Sequence, residues 1–130
     1  MAEASVEHPL AEVLGLALES AGDGRAAVTL EAGQRHHNPN RVVHGGVLFS
    51  MVDTAMGAAT VSVLPPGSAC ASIEVQLRFL APVTAGSLRA EARVLRAGSR
   101  VVQLEARLRD GDDRLVATAS GSFAVVAAQL

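Results

Sequence analysis

Residues 38–60, Asn-Pro-Asn-Arg-Val-Val-His-Gly-Gly-Val-Leu-Phe-Ser-Met-Val-Asp-Thr-Ala-Met-Gly-Ala-Ala-Thr, decide how the rest of the chain folds. A polar loop ends in His44-Gly45-Gly46, and a mostly apolar run follows over residues 47–64 with a single carboxylate, Asp53. A run that is apolar nearly all round predicts a helix that other parts of the protein cover. Burial disfavours the ionised form of an acid in such a helix, so Asp53 is a candidate reactive group.

The two glycines before this helix are candidate anion-binding groups. If the helix begins at Gly46, the amides of Gly45 and Gly46 are among its first N–H groups, which have no partner inside the helix. They also lie at the positive end of the helix dipole. Such an end can hold an anion or the oxyanion that develops during acyl transfer.

The spacing between the glycine and the acid predicts a site shared by two copies of the chain. Asp53 lies eight residues beyond Gly45, which is roughly 12 Å along a helix that rises 1.5 Å per residue. One helix therefore cannot bring its own Asp53 and its own Gly45 amide to a single carbonyl group. Two antiparallel copies related by a dyad can, because each gives its helix N-terminus to the other's carboxylate.

Composition bounds the class of protein. The chain has 130 residues, of which 49% are hydrophobic, and a formal net charge of −2. This length predicts a single domain over residues 1–130, and the charge balance argues against a nucleic-acid surface. The single cysteine, Cys70, excludes a disulfide within the chain. Residues 1–12 are acidic rather than typical of a secretory signal, and the apolar runs are too short to span a membrane, so we expect a cytoplasmic protein.

The hydrophobic pattern predicts an α+β fold. We expect a short helix over residues 8–14, a hairpin formed by residues 14–20 and 25–31, a polar loop over residues 32–43, and the central helix ended by Pro65-Pro66-Gly67. Alternating strands follow at residues 72–79, 88–94, 102–109 and 114–126, and we expect them to pair in sequence order as a meander. In the first of them, Ile73, Val75, Leu77 and Phe79 are expected to face the core. A helix laid across one face of a curved antiparallel sheet satisfies this order.

The helix motif resembles that of the hotdog-fold acyl-CoA thioesterases of the PaaI-like group, to which the phenylacetate-pathway enzymes belong. The matching residues are Asn38, His44, Gly45, Gly46 and Asp53, and the likeness extends to the strand over residues 72–82. The resemblance implies a long central helix wrapped by a curved antiparallel sheet of about five to six strands. The loop departs from the usual pattern where Asn40-Arg41 replaces a glycine.

The resemblance also implies a role for each site residue. The Gly45 amide binds the thioester carbonyl oxygen, with the Asn38 side chain as a second donor or positioner. His44 orients the loop. Asp53 of the facing subunit is either the nucleophile or the base that activates water, and both remain open. Ser72 helps to hold that water.

Coenzyme A contacts follow from the same resemblance. Gly46 is expected to bind the substrate, and the turn Gly98-Ser99-Arg100 is expected to lie near the nucleotide. Arg78 or Arg96 could reach a phosphate, because guanidinium groups bind phosphates through paired hydrogen bonds. No metal or separate cofactor is expected, since coenzyme A is part of the substrate.

The predicted function is hydrolysis of an aromatic or short- to medium-chain acyl-CoA by a homo-oligomer, with a dimer as the minimal unit and a dimer of dimers as the expected assembly. Neither nucleic acid nor membrane is an expected partner. One alternative is an acyl-CoA-binding module without catalysis. Another is an enoyl-CoA hydratase, which needs an acid/base Asp and His in one loop, whereas the segment before His44 offers Asn38 and no Asp.

Structural roles are open for the same residues. Asp53 could make an internal hydrogen bond, and Asn38 could hold its loop through an Asx turn. Ser72 could be an ordinary strand residue, and Cys70 a small core residue. His36 and His37 are expected in a solvated loop, where a metal site would need further ligands that the sequence does not place.

Overall fold

A computed structural model describes residues 8–128 of the chain. The acidic residues that argue against a secretory signal lie partly in residues 1–7, outside the described part. The elements are α1 (Pro9–Leu14), β1 (Ala17–Gly22), β2 (Arg25–Ala32), a 3-10 turn (Gln34–His36), α2 (Gly45–Val61), β3 (Ser68–Phe79), β4 (Gly86–Ala97), β5 (Val101–Asp110) and β6 (Leu115–Ala127). Within residues 8–128, none of the helices has the length and apolar character needed to span a membrane.

The strands form one antiparallel sheet in the order β1-β2-β4-β5-β6-β3, and α2 packs across one of its faces. The predicted α+β hotdog fold is confirmed. The predicted meander is wrong for the first strand after the helix, because β3 pairs with β6 and β4 pairs with β2. Because α2 crosses the face of the sheet, β3 begins at the edge beside β6. The chain then returns across the sheet, and β4 lies between β2 and β5.

The core lies between α2 and the inner face of the sheet. The helix contributes Met51 and Met56, both fully buried, together with smaller side chains that let the sheet approach closely. Residues of β2, β4 and β5, including Val28, Leu88 and Leu104, pack against them, and Val116 and Phe123 of β6 join the same core. Their neighbours along each strand point to the outer face, as the period of two requires. The helix is thus fixed on the sheet by apolar burial along most of its length.

The first strand after the helix only partly follows the predicted alternation. Val75 and Leu77 pack against the core, whereas Ile73 is 58% exposed and Phe79 is 56% exposed. The pairing register of β3 with β6 shifts between Ser72 and Glu74. Such a bulge changes which side chains face the core, and β3 is also an edge strand of the sheet that residues 8–128 form.

His36 is not solvated, contrary to the sequence prediction. It is 4% exposed. Its Nδ1 accepts a hydrogen bond of 3.0 Å from the Gly33 N–H, so the other ring nitrogen carries the proton and donates to the Leu14 carbonyl oxygen at 2.8 Å. His37 lies on the surface, where its Nε2 contacts the Thr84 carbonyl oxygen. The buried imidazole therefore ties the loop before α2 to the end of α1.

Replacing His36 with Ala should destabilise the fold. The change leaves the Leu14 oxygen and the Gly33 N–H without their partner, and each such loss costs about 1–3 kcal/mol. Urea unfolding should show a decrease of about 2–6 kcal/mol in the free energy of unfolding. His37→Ala is the matched control, since its bond is exposed and its loss should cost less than about 1 kcal/mol. Equal losses for the two variants would contradict the structural role of His36.

Candidate active site

His44 caps the N-terminus of α2. Its backbone is extended, and its Nδ1 accepts a hydrogen bond of 2.8 Å from the Gly46 N–H. Its own N–H donates to the His36 carbonyl oxygen at 2.8 Å. This ring nitrogen is therefore occupied by the cap, which supports a positioning role for His44 rather than that of a base. The Gly46 amide is satisfied within the chain and is not a free donor.

The Gly45 amide is the open donor at this helix end. Among residues 8–128 no acceptor is found for the Gly45 N–H. It belongs to the first turn of α2, where N–H groups lack a helical partner and the dipole favours negative charge. The two glycines thus differ: the cap uses one amide, and the other is available to a carbonyl oxygen or an oxyanion.

Phe79, at the end of β3, lies directly against Gly45. A β-carbon placed on Gly45 would come within 2.9 Å of the Phe79 Cζ atom, which is closer than carbon atoms approach in proteins. A side chain at residue 45 would therefore require the half-exposed phenyl ring to shift, and the ring forms one wall beside the open amide. Sequence reasoning placed Phe79 on a strand but missed this contact, because the residues are far apart in the chain.

Asp53 lies two turns further along α2 and is half-buried. Burial raises the pKa of the Asp53 carboxyl, and His8 offsets this effect in part. The carboxylate makes no ion pair with any residue from 8 to 128. An acid that is desolvated yet unpaired is ready to accept a proton from water or to attack a carbonyl carbon.

Cys70 is a neighbour of Asp53 that sequence reasoning did not connect with the site. Burial raises the pKa of the Cys70 thiol, and the nearby Asp53 charge raises it further. The thiol lies 3.8 Å from the Gly57 carbonyl oxygen. A thiol kept protonated in this way is a poor nucleophile, so Cys70 fills space between α2 and β3.

The family is shown by comparison with known proteins. The model of the thioesterase superfamily matches residues 40–117. The chain belongs to the thioesterase superfamily. A Halobacterium salinarum protein provisionally named an esterase is 35% identical over 92% of this thioesterase and 85% of the relative. The 1,4-dihydroxy-2-naphthoyl-CoA hydrolase of Listeria monocytogenes is 26% identical over 89% of this thioesterase and 94% of that protein.

Solved structures agree with this assignment. A conserved protein of Pseudomonas aeruginosa superposes with a TM-score of 0.88 at 38% identity, covering 92% of this thioesterase and 95% of that chain. The PaaI protein from the phenylacetic acid degradation operon of E. coli superposes with a TM-score of 0.87 at 28% identity, covering 94% and 87%. The resemblance to PaaI-like hotdog thioesterases is therefore confirmed, and the chain is a hydrolase.

In the loop that precedes α2, the Oδ1 atom of the Asn38 side chain makes hydrogen bonds within the loop, and the side-chain nitrogen does not. The Asn38 Oδ1 accepts hydrogen bonds from the Asn40 N–H at 2.9 Å and from the Val42 N–H at 3.4 Å. This is the Asx-type arrangement that holds a turn. The side-chain nitrogen makes no hydrogen bond within residues 8–128, so it is free to donate to a substrate. The departure at Asn40-Arg41 is accommodated by a positive φ at Arg41.

The remaining predicted contacts are not brought together with Gly45 or Asp53 by hydrogen bonds within residues 8–128. Ser72 is exposed on β3 beside the bulge and lies opposite Phe123 of β6. Gly98-Ser99-Arg100 forms the turn between β4 and β5, where the Gly98 N–H donates to the Val101 oxygen. The part of this thioesterase that the structure describes contains no cluster of three His, Cys, Asp or Glu side chains that could hold a metal.

Proposed function

We propose that this thioesterase hydrolyses acyl-CoA at a site shared by two copies of the chain. The proposal rests on two groups of α2. The Gly45 N–H has no acceptor within residues 8–128, and the Asp53 carboxylate is half-buried and makes no ion pair there. The two lie roughly 12 Å apart along one helix axis. They can act on the same carbonyl group only when they come from different copies.

The surface around α2 supports such a dimer. β3 is a twelve-residue edge strand, and a long edge with apolar side chains is a ready surface for pairing with another chain. Ile73, Phe79 and Leu80 are exposed along it, and Phe49 and Val61 are exposed on the neighbouring helix. A second copy that covers this surface buries these side chains and removes Asp53 further from water.

The chemistry follows from these groups. The thioester carbonyl oxygen accepts a hydrogen bond from the Gly45 N–H, with the Asn38 amide nitrogen as a second donor. As a base, Asp53 of the other copy takes a proton from a water molecule held with the help of Ser72. The resulting hydroxide adds to the carbonyl carbon, the C–S bond breaks, and Asp53 returns the proton to the departing thiolate. As a nucleophile, Asp53 instead forms a mixed anhydride that water then hydrolyses.

The position of Phe79 and the relatives favour an aromatic acyl group within the predicted substrate range. Phe79 places the tip of its ring next to the oxyanion donor, where the ring can pack against one in the substrate. The Listeria relative is named for an aromatic acyl-CoA, and the E. coli relative belongs to a phenylacetic acid operon. The nucleotide is proposed to lie near Gly98-Ser99-Arg100 at the turn between β4 and β5.

A free-thiol assay over a panel of acyl-CoA substrates tests this function. The expected result is release of coenzyme A, with higher kcat/KM for benzoyl-type and phenylacetyl-type substrates than for aliphatic ones of equal size. Tight binding without thiol release would support the binding module instead. Loss of an enoyl double bond without thiol release would support a hydratase. Either result would contradict the hydrolase proposal.

Stability should depend on pH through Asp53. Because burial raises the pKa of Asp53 in the folded chain, the folded state binds a proton more tightly than the unfolded state. Stability is therefore greatest below the unfolded pKa and falls as the pH rises through the folded pKa. Asp53→Asn removes this loss, so the variant should be more stable than the wild type at about pH 7, and the difference should shrink toward about pH 4. Urea unfolding at both pH values measures it, and a pH-independent difference would contradict this account.

A further inference from the structure

The outer face of the sheet, opposite α2, carries an arginine-rich depression. Its volume is about 530 Å³. The charged side chains that line it are Arg25, Arg89, Arg93, Arg107 and Arg109, with Glu91 and Glu105. Five guanidinium groups and two carboxylates thus line it, while Glu19 and Asp113, outside the lining, pair with Arg89 and Arg109. The core and α2 lie on the other side of the sheet, so the depression is separate from the site at Gly45 and Asp53.

Strand register places like charges side by side around this depression. Arg25 of β2 lies directly opposite Arg93 of β4, and Arg89 of β4 lies directly opposite Arg109 of β5. The same register places opposite charges at Glu91 and Arg107 and at Arg93 and Glu105. Like charges in such positions repel and destabilise a sheet. Between these pairs the floor is made by Ala27, which is 2% exposed although it belongs to the outer face. The arginines therefore surround a space that no large side chain from residues 8–128 fills.

The neighbouring carboxylates do not neutralise all of this charge. Arg89 uses both Glu19 and Glu91, each at 2.6 Å. Glu105 pairs with Arg93 at 2.5 Å. Within residues 8–128, neither Arg25 nor Arg107 has a carboxylate oxygen within 4.0 Å. Two guanidinium groups at this depression are thus left to bind an anion from solution.

We propose that this depression binds a pyrophosphate-class anion, such as the polyphosphate group of a nucleotide. The planar fork of a guanidinium group matches phosphate oxygens through paired hydrogen bonds. The volume falls within the range of small-molecule sites, about 300–1,000 Å³. An anion with several negative charges can bridge Arg25 and Arg107 and relieve the repulsion between Arg25 and Arg93. A second copy of the chain is a poorer occupant, because two such faces would bring net positive charge together.

Isothermal titration of the purified protein with inorganic pyrophosphate tests the proposal. The wild type should bind it, and the double variant Arg25→Ser/Arg107→Ser should bind about 100-fold more weakly, because it loses two guanidinium groups that make charge-assisted hydrogen bonds. Glu91→Gln removes a negative charge from the lining and should strengthen binding, an effect that general destabilisation would not produce. Titration with ADP, compared with pyrophosphate, shows whether the anion is a nucleotide or a free polyphosphate.

Two further readouts complete the test. Acyl-CoA hydrolysis by the double variant without pyrophosphate should equal that of the wild type, because these arginines lie on the opposite face from Asp53. Light scattering should show the same oligomeric state for the wild type and the double variant. Absence of pyrophosphate binding at millimolar concentration, equal binding by the double variant, or dissociation of the double variant into smaller units would each overturn the proposal.

Discussion

Asp53→Asn is expected to lower kcat/KM for acyl-CoA hydrolysis by about 10³-fold, since a positioned acid or base contributes about 10²–10⁴ to rate. The carboxylate stands alone on a largely apolar helix, and no ion pair to it is found within residues 8–128. Its conversion to an amide should therefore leave the fold intact. Steady-state kinetics with a free-thiol readout measures the effect, and circular dichroism checks the fold.

Asp112→Asn is the matched control. Asp112 is exposed in the turn between β5 and β6, and its substitution removes the same charge. The kcat/KM of this variant should stay within about twofold of the wild type, because surface charges away from a site act weakly. Near-normal turnover by Asp53→Asn would remove Asp53 from the mechanism. In a single turnover in ¹⁸O-labelled water, label found in Asp53 shows that it acts as the nucleophile and that water opens the anhydride at the Asp53 carbonyl carbon; a base acquires no label.

The Gly45 N–H should contribute almost as much to kcat/KM as the Asp53 carboxylate does. A β-carbon at residue 45 would displace the Phe79 ring, so the test uses the Phe79→Leu background, where the space is larger. In that background Gly45→Ala keeps the N–H, whereas Gly45→Pro removes it. Proline suits the first helical position, and the extended backbone of His44 is compatible with a following proline. We expect Gly45→Pro to be about 10²–10³-fold less active than Gly45→Ala, the usual cost of one oxyanion donor.

The comparison of Ala with Pro isolates the amide, because both residues add a β-carbon. In the wild-type background, Gly45→Ala should lose activity through the clash with the Phe79 ring, and Phe79→Leu should restore part of it. Equal kcat/KM for the Ala and Pro variants would show that the Gly45 N–H does not bind the oxyanion. Thermal unfolding of both variants verifies that α2 still forms.

Sequence alone predicted the central helix and the alternating strands because their signals are local. An apolar run broken by Asp53 and ended by Pro65-Pro66-Gly67 has the length of a helix. The charged and apolar residues of β4 and β5 alternate with the period of a strand, and their core residues are buried as expected. The distance between Gly45 and Asp53 along α2 also follows from helix geometry, so the sequence predicts a site shared by two copies of the chain.

Contacts between segments that lie far apart in the chain could not be predicted from the sequence. The pairing of β3 with β6 depends on where α2 delivers the chain, and the bulge beside Ser72 depends on that pairing. The burial of His36 depends on the Leu14 oxygen, which lies 22 residues away. Phe79 contacts Gly45 because β3 packs beside the start of α2. Each of these features joins segments whose local patterns carry no information about one another.

A hybrid of two inactive chains tests the shared site most directly. One chain carries Asp53→Ala, its partner carries Gly45→Pro, both have Phe79→Leu, and two different tags allow purification of the mixed dimer. If Gly45 of one copy serves Asp53 of the other, each hybrid holds one intact site and should recover about half of the activity of the Phe79→Leu dimer, because the dyad makes two equivalent sites. No activity above the two parent variants in the verified hybrid would contradict a site formed between copies.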